Sequence, residues 1–235
     1  MVTPRVKVGV TRSEPGASRQ AALLRAAGYE CLVAPVLAIE PVTGAVPAGP
    51  FALVVFLSEH AVRHGLPRLT VGDAAVFAVG ARTAEVLAEA GYPAERPDRA
   101  DSEGLLALAA LADVSGQRIL LVCGVGGRML IAAELAARGA QVERFICYRR
   151  APLVPVGIHL GSVDAIVAGS ADGLTQIARA WTGAGGSPAV PLLVPSERVR
   201  ARGVALGFRN VHDCRGADAA AVLRGLEQVS RTGAA

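Results

Sequence analysis

Six times along the chain a short run of apolar, largely β-branched residues stops at a small or hydroxyl-bearing residue, and a segment of helical character follows. The runs are VKVGVTR, FALVVFLSEHAV, AVFAVGARTAEVL, RILLVCGVGGRML, DAIVAGSADGL and PLLVPSERV. No polar residue alternates within them, so each reads as a strand buried on both faces, as in a parallel sheet. They stop at Thr11, Ser58, Gly80, Gly124, Ser170 and Ser196. In such sheets ligands bind beyond the carboxyl ends of the strands, where helix N-termini present N–H groups without intrahelical partners. All of these stop residues are therefore candidate contacts for one ligand.

The helical segments finish as LLRAAGY, LAEAGYP, LAARGAQV and VALGFRNV, each with a glycine (Gly28, Gly91, Gly139, Gly207) after an Ala- and Leu-rich stretch. Glycine there takes the left-handed conformation that closes a helix, and the apolar residue after it packs back. New extended segments follow, in ECLVAPVLAIE, AERP, QVERFICYRR and VHDC. Repetition of strand, turn, helix, glycine stop and strand predicts doubly wound α/β sheets with right-handed crossovers. Two stretches break the pattern: APVLAIEPV (34–42) and YRRAPLVPV (148–156), both extended, with two prolines each and unsuited to a helix. Paired, residues 36–42 and 148–156 would form a two-stranded connector. One α/β domain would then cover 43–147, and a discontinuous one would combine 1–35 with 157–235. TGAGGSPAVP, Thr182 to Pro191, reads as a flexible loop, and the terminal SRTGAA as a disordered tail.

Composition narrows the function classes. With 52% hydrophobic and only 4% aromatic residues, the core must be aliphatic. Net charge is +4, with the basic residues scattered along the chain. Nucleic-acid binding calls for clustered Lys and Arg with aromatic stacking platforms, so no nucleic-acid partner is expected. Scattered arginines suit a small, strongly acidic ligand better. MVTPRVKVGV carries no secretory apolar stretch, and no apolar run approaches the ~20 residues of a membrane helix. A cytoplasmic protein without membrane association is expected. Cys31, Cys123, Cys147 and Cys214 show no CxxC spacing and read as buried reduced thiols, with no metal site.

Taken in order, several motifs resemble the uroporphyrinogen-III synthase family nearly end to end. They are VTR before a helix, APVLAIEPV, FLSEHAV, VGARTAEVLAEAGY with DSEGLL, RILLVCGVGGRMLIAAELAARGAQVERFICYRR, AGSADGL, and LLVPSERV with ALGF. The combination of VG-x-x-TA, G-x-GGR and RGA followed by YRR carries the likeness. The resemblance implies two flavodoxin-like (Rossmann-like) parallel-sheet domains joined by a two-stranded β-ladder hinge, with the active site in the cleft. It implies a monomeric, cofactor-independent enzyme whose small-molecule substrate is hydroxymethylbilane, an octacarboxylate. Ring closure with loss of water and inversion of the last pyrrole would give uroporphyrinogen III. The chain departs from the family at Cys123, where Arg is common, and at Leu57, where a hydroxyl residue is common.

For such a substrate many N–H donors matter more than one strong group. The helix starts after Thr11, Ser58, Gly80, Gly124, Ser170 and Ser196 could supply them, and Thr83 lies one turn into its helix. The same residues could equally serve as helix caps. Tyr148 is the candidate proton donor to the departing hydroxide. Arg12, Arg128 and Arg149 are candidates for the carboxylates, whereas Arg150 reads as a solvated surface residue. His60 and His64, four residues apart, lack a third metal ligand and read as a solvated face. GVGGR from Gly124, with Glu143 beyond it, approximates a dinucleotide fingerprint, but Met129 stands where the third glycine belongs. A non-catalytic two-lobed binding protein for an acidic metabolite is the alternative function.

Overall fold

A computed structural model describes residues 6–126, 129–153 and 162–232. The first elements are β1 (Lys7–Val10), α1 (Gly16–Ala26), β2 (Glu30–Val33), β3 (Leu37–Pro41), β4 (Leu53–Phe56), α2 (Glu59–Gly65), β5 (Ala75–Ala78) and α3 (Ala81–Glu89). Next come α4 (Ser102–Leu106), β6 (Arg118–Gly124), α5 (Leu130–Ala137) and β7 (Gln141–Pro152). The chain ends with β8 (Ala165–Val167), α6 (Ala171–Gly183), β9 (Leu192–Val194), α7 (Glu197–Ala205), β10 (Val211–Asp213) and α8 (Ala219–Thr232). Backbone contacts gather into two compact units, Met1–Ala38 with Ala151–Ala235, and Ile39–Arg150.

The discontinuous unit holds a sheet in the order β10-β9-β8-β1-β2, and every pairing in it is parallel. Counted along the chain within the unit, that is the doubly wound order 2-1-3-4-5. Its strands are apolar on both sides because both sides are covered. Ile166, Leu192 and Val194 face Leu174, Ile177 and Trp181 of α6. Ala165, Val167 and Leu193 face Leu24 of α1 and Ala221 and Val222 of α8.

In the continuous unit the order is β3-β7-β6-β4-β5, with β5, β4, β6 and β7 parallel. Val54, Phe56, Leu120 and Val122 pack under α2 and α3, while Leu53, Val55, Ile119 and Leu121 pack under α4 and α5. Phe56 and Phe145 are fully buried, and truncating either to alanine is expected to cost about 3–5 kcal/mol. Val42 N–H donates to Cys147 O, and Leu153 N–H to Val36 O, at 3.0 and 3.1 Å, in the antiparallel sense. The expected connector segment 148–156 begins inside β7, and its last residues, from 154, lie outside the described ones.

All the apolar runs become strands, and the glycines of the four helix stops have φ of +97°, +86°, +85° and +96°. Three expectations change. AERP contributes only one bridge, Phe77 to Glu95. The loop expected to be flexible is pinned, because Trp181 Nε1–H donates to Ser187 O (2.7 Å) and Gly186 N–H to Trp181 O (2.9 Å). Of the expected disordered tail, residues 230–232 instead continue α8, and residues 233–235 lie outside the described ones. No helix among the described residues is long and apolar enough to cross a membrane.

Candidate active site

Each sheet reverses its winding between two strands, and this reversal point is where open α/β sheets bind ligands. In the continuous unit it lies between β4 and β6, whose carboxyl ends carry Ser58 and Gly124. Ser58 has extended backbone, and its Oγ accepts the Ala61 N–H at 3.0 Å, so it caps α2. That oxygen also lies 3.0 Å from Tyr148 Oη.

Tyr148 reaches Ser58 because β7 contains an extra residue. Cys123 pairs with Ile146, but Gly124 pairs with Tyr148, leaving Cys147 as a bulge. Side chains on a regular strand alternate, so Phe145 and Cys147 on one face would send Tyr148 to the other. Instead Phe145, Cys147 and Tyr148 all join the core under α2. The bulge has re-aimed the tyrosine.

The ring then lies flat against Gly124, where a Cβ would come within 2.6–3.0 Å of Cζ, Cε2 and Cε1. His60 and His64 flank it, with ring centroids 5.6 and 6.2 Å away. Arg150, two residues on, sets its guanidinium 5.6 Å from the ring centroid and donates from Nη2 to Tyr148 Oη at 3.3 Å. Arg149 takes the opposite face, where Nε and Nη2 grip Glu40 Oε2 at 2.8 and 2.7 Å. His60 and His64, half-buried, thus border Tyr148, as does Arg150, which is exposed as expected, and the structure does not bring Arg149 to it.

Gly80 caps α3 with extended backbone, and a Cβ there would meet Ala100 Cβ at 2.8 Å, so the close approach of Ala100 alone requires glycine. Thr83 is buried in the first turn of α3. No helix starts directly after Gly124: α5 begins at Leu130, and Arg128 lies outside the described residues. Glu143 is held by Arg118 and Met129 is exposed, while Gly127 and Arg128 of the GVGGR motif lie outside the described residues. Burial, with Cys123 nearby, pushes the Cys147 thiol up to about 11, which leaves it inert at neutral pH.

In the discontinuous unit the reversal lies between β1 and β8. Thr11 does not begin a helix; α1 starts at Gly16. Instead the Thr11 backbone N–H and Oγ1 both donate to Val167 O, at 3.3 and 2.7 Å, tying the two strands together. Arg12 rests against Gly169, where a Cβ would lie 3.0 Å from its own, and donates from Nη1 to Ala217 O at 3.1 Å. Ser170 caps α6 by accepting the Gly173 N–H at 3.2 Å. Ser196 sits at the start of α7 with no side-chain capping bond. Among the described residues no group of His, Cys, Asp or Glu is arranged to hold a metal ion.

Comparison with known proteins decides between the two functions. The family model described as "Uroporphyrinogen-III synthase HemD" matches residues 18–225. The chain belongs to the uroporphyrinogen-III synthase family. It is 30% identical to the uroporphyrinogen-III synthase of Escherichia coli (strain K12) over 245 residues, covering 93% of this chain and 98% of that one. It is 32% identical to the Salmonella typhimurium protein of the same name over 192 residues, 74% of this chain and 78% of the relative. The Helicobacter pylori uroporphyrinogen-III synthetase superposes with a TM-score of 0.66 at 12% identity, covering 96% and 100% of the two chains. A Thermus thermophilus uroporphyrinogen III synthase does so at 0.57 with 21% identity, covering 95% and 99%. These likenesses show the same α/β fold. Uroporphyrinogen-III synthases are enzymes, and no relative supports the non-catalytic alternative.

Proposed function

We propose that this chain closes hydroxymethylbilane to uroporphyrinogen III, and that Tyr148 is its proton donor. The family match over residues 18–225 carries this reading. Spontaneous closure of the linear tetrapyrrole gives the uninverted ring, so the protein must act chiefly by folding the substrate. Its carboxylates would be gripped by main-chain N–H groups and hydroxyls at Ser170, Ser196, Gly80 and Thr83, with Arg12 and Arg128 adding charge. Thr11 would keep β1 and β8 in register beneath Arg12. Ser58, Gly124 and Tyr148 would surround the reacting hydroxymethyl group. The β3–β7 pair would be the hinge joining the two domains.

In the reaction the hydroxymethyl C–O bond breaks, the Tyr148 proton leaves with hydroxide as water, and the pyrrole nitrogen lone pair forms the azafulvene cation. The terminal pyrrole attacks through its substituted carbon to give a spiro intermediate, which rearranges with the ring inverted. The substrate proton released on rearomatisation restores the phenol. Each step needs only the substrate and this chain's own groups.

The test is incubation with freshly generated hydroxymethylbilane, followed by isomer analysis without added cofactor. Predominantly type III product is expected; the isomer composition of the protein-free control would refute the assignment. Tyr148→Phe should slow turnover roughly a hundredfold without abolishing it. Unchanged kinetics would remove Tyr148 from the chemistry.

A further inference from the structure

We propose that Arg150 is a positioning residue that acts through Tyr148, holding the negative charge left on its oxygen once the proton has gone. This inference rests on the proposed role of Tyr148. Its basis is the hydrogen bond from Arg150 Nη2 to Tyr148 Oη at 3.3 Å, with the guanidinium 5.6 Å from the ring centroid.

The direction of this bond is fixed, since a guanidinium has only N–H donors. Tyr148 Oη therefore accepts from Arg150, and its own proton points elsewhere. Two arrangements satisfy the 3.0 Å contact with Ser58. Either Ser58 O–H donates to Tyr148 and the phenol proton is presented to the substrate, or the phenol donates to Ser58 and Ser58 presents its own proton. In the second case Ser58 passes its proton out and takes that of Tyr148. Both routes leave the charge on the phenol oxygen, with Arg150 N–H and Ser58 O–H donating to it. When the proton leaves, a neutral acceptor becomes an anion facing the permanently charged guanidinium, so the Arg150 contact becomes an ion pair and strengthens. It thereby lowers the barrier more than it aids substrate binding.

The two neighbouring arginines are not equivalent. Had β7 no bulge at Cys147, Arg149 would share the face of Phe145 and Cys147. The extra residue brings Tyr148 and Arg150 to that face together and leaves Arg149 with Glu40. One bulge supplies both the acid and the cation beside it.

The test is a double-mutant cycle on kcat and KM with hydroxymethylbilane as substrate. Arg150→Gln should lower kcat by roughly tenfold or more with little change in KM. Arg150→Lys, which keeps the charge and one donor, should recover part of that loss. In the Tyr148→Phe background Arg150→Gln should add almost nothing, because there is no phenol left to stabilise. Thermal unfolding of each variant shows whether the fold is retained. A full additional loss in the Tyr148→Phe background, or a rise in KM at constant kcat, would overturn the role and make Arg150 a contact to substrate. Unchanged kinetics for Tyr148→Phe itself would overturn it together with the role of Tyr148. Absence of type III product from the unaltered protein would instead defeat the proposed function.

Discussion

Replacing Gly124 with alanine adds one methyl group at the floor of the Tyr148 ring and nothing else. The Gly124 backbone is not in the left-handed region, so the substitution carries no conformational strain of its own. A Cβ there would stand 2.6 Å from Cζ and 2.7 Å from Cε2, whereas carbon atoms rest about 3.5–4.0 Å apart. The ring must retreat by about 1 Å. Gly124 sits in a central strand, so the tyrosine rather than the backbone has to give way. Moving away would stretch the 3.0 Å contact to Ser58 and the 3.3 Å bond from Arg150 beyond useful length. Overpacking of this kind costs about 1–3 kcal/mol in stability. Misplacing a reacting group by about 1 Å can cost a hundredfold in rate. Gly124→Ala is therefore expected to lower kcat by one to two orders of magnitude while type III remains the product. Denaturant unfolding provides the control: in a Tyr148→Ala background the stability penalty of Gly124→Ala should largely vanish. If the penalty persists there, or if kcat is unaffected, Gly124 is not the seat of Tyr148 and the steric reasoning fails.

Arg149→Gln should change stability by no more than about 1 kcal/mol by denaturant unfolding, because the pair with Glu40 is exposed; a larger loss would mark it as structural. The Cys147 and Cys214 thiols, pushed by burial from 9.0 up to about 11, are protonated in both folded and unfolded chains at neutral pH. As pH rises through this interval the unfolded chain ionises first, so stability should fall by about 1–3 kcal/mol per thiol. Unfolding midpoints should decline less steeply over that interval in a Cys147→Ala/Cys214→Ala variant, and equal slopes would refute the linkage. Burial holds the His212 imidazole below its ordinary 6.5, so as pH falls below that value the unfolded chain takes the proton first. His212→Asn should therefore lose less stability under mild acid, as measured by denaturation between about pH 7 and 5.

The fold was legible wherever a pattern had one physical cause. Uninterrupted Val, Ile and Leu runs became strands because both faces of each sheet are covered, and glycines marked helix ends because only they enter the left-handed region cheaply. AERP failed as a strand because Pro93 and Pro97 flank it without N–H groups, leaving Glu95 alone to pair, through Val76 O and Ala78 N. The glycine-rich stretch after Thr182 read as loose because composition says nothing of Trp181, whose indole fixes the turn from outside the segment. At the other end, residues 230–232 extend α8, a helix anchored in the core by Ala221, Val222 and Leu226, so the polar composition of SRT did not set the helix end.

The site was less legible, and the reason is a single residue. Ser58, Gly124 and Tyr148 could each be chosen from their places at strand ends or in YRR, but their convergence could not. Alternation along QVERFICYRR gives the wrong parity after Cys147, since no local composition announces the bulge opposite Gly124. Parity decides which neighbours count. With the bulge, Tyr148 turns toward α2, and His60 and His64, one helical turn apart, border its ring. Arg150 follows on the same face and Arg149 is excluded from it. The histidine spacing was visible as a shared helical face, but a face has no function until something is packed against it. The glycine at 124 held the missing information in another form: a strand end with no side chain, beside a strand that carries a tyrosine, is the space the ring needs.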